Sequence, residues 1–418
     1  MASISFNLTI RPEINLEMHS NKTALYTIYV NIVLFALCYQ LQSPLEPYLV
    51  SKLSDGDDNR AYSSVQAWFS FIQTIGSLLM GSLLDKFGLQ GGFVLTFLSS
   101  AVHYGILANA TTLQLLYISK IPTLFMHGFL CAQTAVSQLT TDGSSRMAAL
   151  GRLTACYTAG ATVGPALGGY LGASGDYYFG AKLAVCGSLL SAVLSYAFVP
   201  AHLVTSASET EPPKADVKTS LKTVFLSAYD LFLVKGVTGV ANSMQSTAFP
   251  LIAKNYFSFQ EEQMGLAQSA MTLATTVCSI FLPGPLTSAL GSSIAVVRLC
   301  LWGSILGLAL QTLLLAYAVE NLITLFFISK LFVSVFQFLL STSLTGESVG
   351  RVPAECKGTL MGTEHALFSV VRVFTPALAV AVLEANGVIG VSAYAAVMYT
   401  SGTGLFAMTT RFIKQKEA

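Results

Sequence analysis

The sequence predicts an all-α membrane protein: twelve transmembrane helices in two six-helix bundles that form a parallel pseudo-repeat. Three observations predict it. Of 418 residues, 53% are hydrophobic and only 10% are charged, where a water-soluble chain carries about 25% charged residues. Apolar runs recur along the whole length, each near the roughly 20 residues that cross a hydrocarbon core of about 30 Å. Finally, segments of the first half return in the second at an offset close to half the chain.

Residues 1–23 are polar and lack the apolar core of a secretory signal, so they read as a tail preceding the first span. The first bundle is expected over 24–199, with helices near 24–50, 64–84, 91–110, 113–139, 147–174 and 180–199. Residues 200–230 turn polar and carry the helix-breaking Pro212 and Pro213, which marks a linker. The second bundle follows over 231–410, with helices near 231–253, 262–282, 294–317, 322–344, 358–383 and 388–410, and residues 411–418 form a tail.

The fifth helix is unusual. Gly160, Gly164, Gly168 and Gly172 recur every four residues on one face, with Pro165 among them. In water an interior Gly costs about 1 kcal/mol and Pro about 3 kcal/mol. In a bilayer small residues at this spacing let backbones approach closely, and neighbouring helices satisfy the groups that proline frees. A helix-packing face pressed on a partner at the bundle interface is the expected use.

Lys and Arg placement sets the expected orientation. With both termini and the linker on the cytoplasmic side, that side holds Arg11, Lys22, Lys86, Arg146, Arg152, Lys214, Lys218, Lys222, Arg351, Lys357, Arg411, Lys414 and Lys416, against Lys52, Arg60, Lys182 and Lys254 outside. The internal repeat is direct. Lys120 in YISKIPTLF returns as Lys330 in FISKLFVSVF, at an offset of 210, and Gly151 and Pro165 return as Gly362 and Pro376, at 211. Two units in the same orientation imply a pathway between them.

The seven cysteines are scattered without a CxxC pair and read as small core residues, with no metal site. No phosphate loop, metal-ligand run or Ser/His/Asp spacing points to an enzyme. No cofactor and no nucleic-acid partner is expected.

Ionisable groups inside the membrane are functional candidates by default. Lys120 lies in the fourth helix. Glu46 lies between Pro44 and Pro47 at the end of the first, where a desolvated carboxylate could exchange a proton or pair with a cation; a hydrated headgroup position is the plain alternative. Glu364 and Arg372 in the eleventh helix could form a charge cluster with His365. Lys330 is a second-half counterpart or a relic, and His127 a relay or an interior histidine. Among uncharged polar residues, Asn31, Gln42, Gln133, Asn242, Gln245 and Gln337 are expected to line a cavity.

Gly151, Gly160, Gly164, Pro165, Gly168 and Gly169 together resemble the fifth-helix motif of the drug:proton antiporters in the major facilitator superfamily. GSLLDKFGLQGG, with Gly81, Asp85, Lys86 and Gly88 in register, is similar to that superfamily's signature between helices 2 and 3. Leu89 and Gln90 stand where a basic pair is usual, and the copy at 284–291 has Ser288 in place of the acid. KIPTLFMHGFLCAQ and the helix 5 and helix 11 runs most resemble the organic cation transporter-like branch, itself close to tetracycline-type exporters.

The resemblance implies a fold in which helices 1, 4, 7 and 10 surround the cavity and two bundles rock by alternating access. It also implies Asp85 as a conformational latch and Lys120 at the place of an intramembrane arginine linked to proton handling. The expected function is proton-coupled antiport of a small organic solute, a cationic or amphipathic one among the candidates, by a multi-pass protein whose default state is a monomer. A facilitator or symporter of a metabolite, and a transporter-like receptor or scaffold, are the alternatives.

Overall fold

The computed structural model describes residues 11–54, 56–140, 143–201, 217–317, 321–353 and 356–417; at 11–21, 81, 82, 85, 143, 144, 147, 217–220, 357, 358 and 409–417 it describes the backbone alone. The first half comprises α1 (Arg11–Gln42), α2 (Glu46–Leu53), α3 (Asp58–Leu107), α4 (Leu113–Lys120), a 3-10 turn (Ile121–Phe125), α5 (Gly128–Leu139), α6 (Gly143–Gly172) and α7 (Phe179–Phe198). The second comprises α8 (Val217–Asn255), α9 (Glu261–Phe281), α10 (Pro283–Leu290), α11 (Ser293–Tyr317), α12 (Leu322–Arg351) and α13 (Lys357–Glu417).

Eight helical stretches are long and apolar enough to span a bilayer among the described residues. α3 and α13 each run through a glycine at positive φ, Gly88 at 71° and Gly387 at 65°, which breaks one long helix into two crossings. A side chain is strained at such φ values and glycine is not. Read this way, the helices are consistent with twelve crossings.

The expected boundaries change at four places, each for a physical reason. The first span stops at Gln42 and restarts as α2 at Glu46, because Pro44 and Pro47 interrupt its hydrogen bonding. The fourth is not continuous: Pro122 turns residues 121–125 into 3-10 geometry between α4 and α5. Side chains of α3 take up carbonyls around that break: Trp68 Nε1 donates to Tyr117 at 3.1 Å, and Gln73 Nε2 donates to Thr123 at 2.6 Å. α1 begins at Arg11, inside the expected tail, and α8 begins at Val217, inside the expected linker, because a helix can continue past the apolar segment into polar surroundings. Residues 1–10 and 202–216 of the tail and linker lie outside the described residues.

Each half has its own apolar core. Ile28, Ile32, Phe93 and Phe97 lie in that of the first, and Cys300, Leu308, Val333 and Tyr399 in that of the second. Large apolar side chains such as Leu78, Val193, Leu306 and Phe374 are exposed on the outside, the surface a bilayer covers rather than water.

The glycine stripe of α6 serves two contacts, which corrects the single bundle-interface role expected for it. A Cβ on Gly160, Gly164, Gly168 or Gly172 would lie under 3.0 Å from α1 or the turn after it, against Val33, Gln40, Leu41 and Leu45. These four seat α6 inside its own half. Gly169 instead faces α9 of the other half, where its added Cβ would lie 3.0 Å from the Cα of Gly265. Gly151 sits in open space.

Candidate functional site

A cavity of about 680 Å³ lies between the halves, lined by residues of α1, α3, α6, α8, α9, α12 and α13 together with Glu46 and Lys120. The two helix interruptions position its central pair. Glu46 opens α2 just after the first break, and Lys120 closes α4 just before the second. Lys120 Nζ lies 2.6 Å from Glu46 Oε1, and the two side chains are 7% and 14% exposed. Gln66 Nε2 donates to the other carboxylate oxygen at 2.8 Å, and Lys120 sits 5.4 Å from the centre of the Phe69 ring. Glu46 therefore lines the cavity.

Lys330, the copy of Lys120, reaches the same cavity and is 5% exposed. It meets no acid among the described residues: Nζ donates to Gln245 Oε1 at 2.8 Å and lies 6.0 Å from the Phe249 ring. An ammonium carries three donors, so one hydrogen bond leaves two unspent. Arg372 lines the cavity too, exposed, with no hydrogen bond or ion pair to another described residue. Pro165 and Pro376, equivalent in the repeat, also lie on the cavity wall.

Gln42, Asn242 and Gln337 line the cavity as expected. The other three do not. Asn31 is fully buried and donates to Ser195 Oγ at 2.9 Å inside the first half. Gln133 lies outside the lining, on α5, whose register is uncoupled from Lys120 by the 3-10 turn. Gln245 stands behind the wall and holds Lys330.

The expected Glu364–Arg372 cluster is replaced by a different pair. Glu364 is bonded to Lys235 of α8 inside the second half, their side chains 6% and 2% exposed. Thr345 Oγ1 donates to Glu364 at 3.1 Å, and Lys235 donates to Ser348 Oγ at 3.0 Å. Sequence reasoning missed Lys235, although a lysine within LFLVKGVTGVA carries the same intramembrane signal as Lys120. It also missed Asp230, which pairs with Arg351 at 2.8 Å.

Hydrogen bonds and ion pairs between the halves gather at one end. Tyr177 donates to Glu261 Oε1 at 2.7 Å, Lys254 approaches Asp58 at 3.5 Å, Arg60 meets Glu384 at 2.9 Å and Asn255 donates to Asn59 at 3.0 Å. Burial disfavours the charged form of Asp58, but hydrogen bonds from Ser51 and Ser54 and the nearby Lys254 outweigh it and hold its carboxyl below the usual range. Burial, with Glu261 beside it, pushes the Tyr177 hydroxyl up to about 12.

The sequence profile of the Major Facilitator Superfamily matches residues 28–229. Over that stretch, just under half of its length, the chain is similar to the major facilitator superfamily. It is 30% identical over 253 residues to solute carrier family 22 member 18 of Mus musculus, a match covering 58% of this chain and spanning 62% of that relative's length. Multidrug resistance protein 2 of Bacillus subtilis (strain 168) is 23% identical over 382 residues, covering 88% of this chain and 91% of that protein. Among solved structures, a variant of the peptide transporter POT in complex with alafosfalin superposes with a TM-score of 0.74 at 15% identity, over 93% of this chain and 94% of that one. That likeness shows the fold.

Of the motif between the second and third crossings, Gly81 and Asp85 are described by their backbone alone. Lys86 is exposed, 5.6 Å from the Phe87 ring centre. Gly88 takes the positive φ that bends α3, as does Gly291, at 75°, at the end of the motif's second copy. Gln90, in place of the usual basic residue, donates to the carbonyls of Tyr196 and Val199 at 2.7 and 3.0 Å.

Proposed function

We propose that this chain is a proton-coupled secondary transporter that carries a small organic anion by alternating access. The observation that carries the reading is the Glu46–Lys120 pair in a cavity of about 680 Å³ between two halves held together at one end. That volume suits a small organic solute. Glu46 is the group that takes and gives the proton, and Lys120 holds its charged form. Lys120, Lys330 and Arg372 stand against the single carboxylate of Glu46 in the cavity wall. This excess of positive charge favours an anion over a cationic cargo.

The halves that rock are residues 24–199 and 231–410, joined by the linker 200–230. With the termini in the cytoplasm, the clasped end faces outward and the cavity opens inward. The glycine motif of α6 supports proton antiport. The charge arithmetic favours a second reading, symport: protonating Glu46 releases Lys120, raises the positive charge facing the solute and draws the anion in with the proton. Binding linkage is reciprocal, so the anion then raises proton affinity.

Reconstitution in proteoliposomes with an imposed pH gradient, using panels of organic acids, bases and neutral solutes, tests this. Accumulation of an acid driven by the gradient is expected, and its direction relative to the proton separates antiport from symport. Glu46→Gln should abolish gradient-driven accumulation while downhill movement continues. Flux indifferent to pH supports the facilitator, gradient-driven flux of bases overturns the anion assignment, and no flux across the panel supports a receptor or scaffold.

A further inference from the structure

A second cavity, of about 420 Å³, opens beside the first and shares Tyr39, Phe69, Ser70 and Arg372 with it. The proposed transport reaction gives it no task. Its walls are paired aromatic rings. Phe129 and Tyr157 meet edge to face with centroids 5.1 Å apart, Tyr39 stacks with Phe69 at 6.2 Å, and Phe35 packs edge-on against Phe97 at 6.3 Å. Gly128 lets the start of α5 close on one of these rings: a Cβ there would lie 3.0 Å from the Phe35 ring.

Its polar side chains are largely spent on the protein itself. Gln73 donates to the Thr123 carbonyl at 2.6 Å, Thr74 to Ser70 at 2.7 Å and Ser77 to Thr74 at 2.8 Å. One group still offers unspent polar capacity: Arg372 stands at the neck shared with the main cavity. An apolar chamber with a guanidinium at its mouth suits a molecule with an aromatic body and an acidic head.

We infer that this chamber is a subsite for the aromatic body of the transported anion, whose acid group is held at the neck by Arg372. The solute class is then an amphipathic arene carboxylate or sulfonate, and residues 126–130 with Thr74 set its size. The inference rests on the anion reading above.

The test uses the full chain in proteoliposomes with 2-naphthoate and lactate as probes. In the unaltered protein naphthoate should have a KM about tenfold below that of lactate. Thr74→Phe fills the chamber from a residue that lines it alone, and should raise the naphthoate KM about tenfold with the lactate KM unchanged. Phe129→Ala removes a wall and should erase most of the naphthoate advantage, which keeps the test decisive if Thr74→Phe fails to fold. Arg372→Gln should weaken both acids. If both acids are carried with equal KM, or if both chamber variants leave their ratio unchanged, the chamber inference is overturned while the anion reading stands. If neither acid is carried and organic bases are, the anion reading falls and takes the inference with it.

Discussion

Glu364 and Glu46 are both intramembrane carboxylates paired with a lysine, yet their surroundings predict different losses. The Lys235–Glu364 pair lies inside the second half, with hydroxyls from Thr345 and Ser348 completing its hydrogen bonds. Removing one member strands a buried charge, at a cost of roughly 3–5 kcal/mol. Glu364→Ala should therefore lower thermal stability in detergent by about that amount, and Lys235→Met with Glu364→Leu should recover most of it. If Glu364→Ala keeps its stability and loses pH-driven transport, Glu364 belongs to the coupling machinery instead. Glu46 borders a cavity, and Glu46→Gln, which keeps a hydrogen-bonding partner for Lys120, should cost little stability and remove the coupling. The sequence made Glu46 and Lys120 legible one at a time, through flanking prolines and an intramembrane position. Their meeting was not legible, because it depends on two helix breaks whose geometry follows from packing on α3. For Lys235 the signal was present and only its partner was hidden.

At the level of helices, the two sets of α6 glycines separate stability from transport. Gly164 and Gly168 press on α1 within one half, so an added methyl group meets a contact formed on folding. Gly168→Ala is expected to cost about 1–3 kcal/mol, the usual range for overpacking, seen as a lower melting temperature. Gly169 and Gly265 touch across the halves, a contact that the proposed alternating-access cycle would separate. Gly169→Leu should leave folding of each half intact and shift the molecule toward the opposite-facing state. A cysteine at Gln268, whose carbonyl accepts from Ser43 at 3.1 Å across the same seam, should then label faster with a membrane-impermeant thiol reagent. Equal labelling with a lower melting temperature would place Gly169 with the folding contacts. Four-residue spacing showed the face in the sequence; it could not show that Gly169, one position off the stripe, meets a different helix.

Across the whole molecule, alternating access requires the clasped and opened states to lie within a few kcal/mol. The clasp is weak enough for that. Arg60 and Glu384 are 70% and 32% exposed, and Lys254 and Asp58 are 15% and 33% exposed; exposed pairs contribute about 0–1 kcal/mol. Asp58→Asn should therefore raise the opened population about fivefold, the factor for roughly 1 kcal/mol, without unfolding the protein. The sign of the pH effect follows from the depressed Asp58 carboxyl. Ser51 and Ser54 belong to the same half as Asp58, so only the part of that depression due to Lys254 stabilises the clasped state, fully above the ordinary pKa of about 3.9 and lost only as pH falls through the lower value. Between about pH 8 and about pH 5 the contribution of Asp58 to the clasp is thus constant. Gln268→Cys labelling over that window is read relative to the same thiol in denatured protein, which removes the reagent's dependence on thiolate. Glu46→Gln should flatten the labelling profile, while Asp58→Asn should lift it uniformly and keep its shape. The opposite pattern, a flat profile in Asp58→Asn and a sloping one in Glu46→Gln, would transfer proton sensing from the cavity to the clasp.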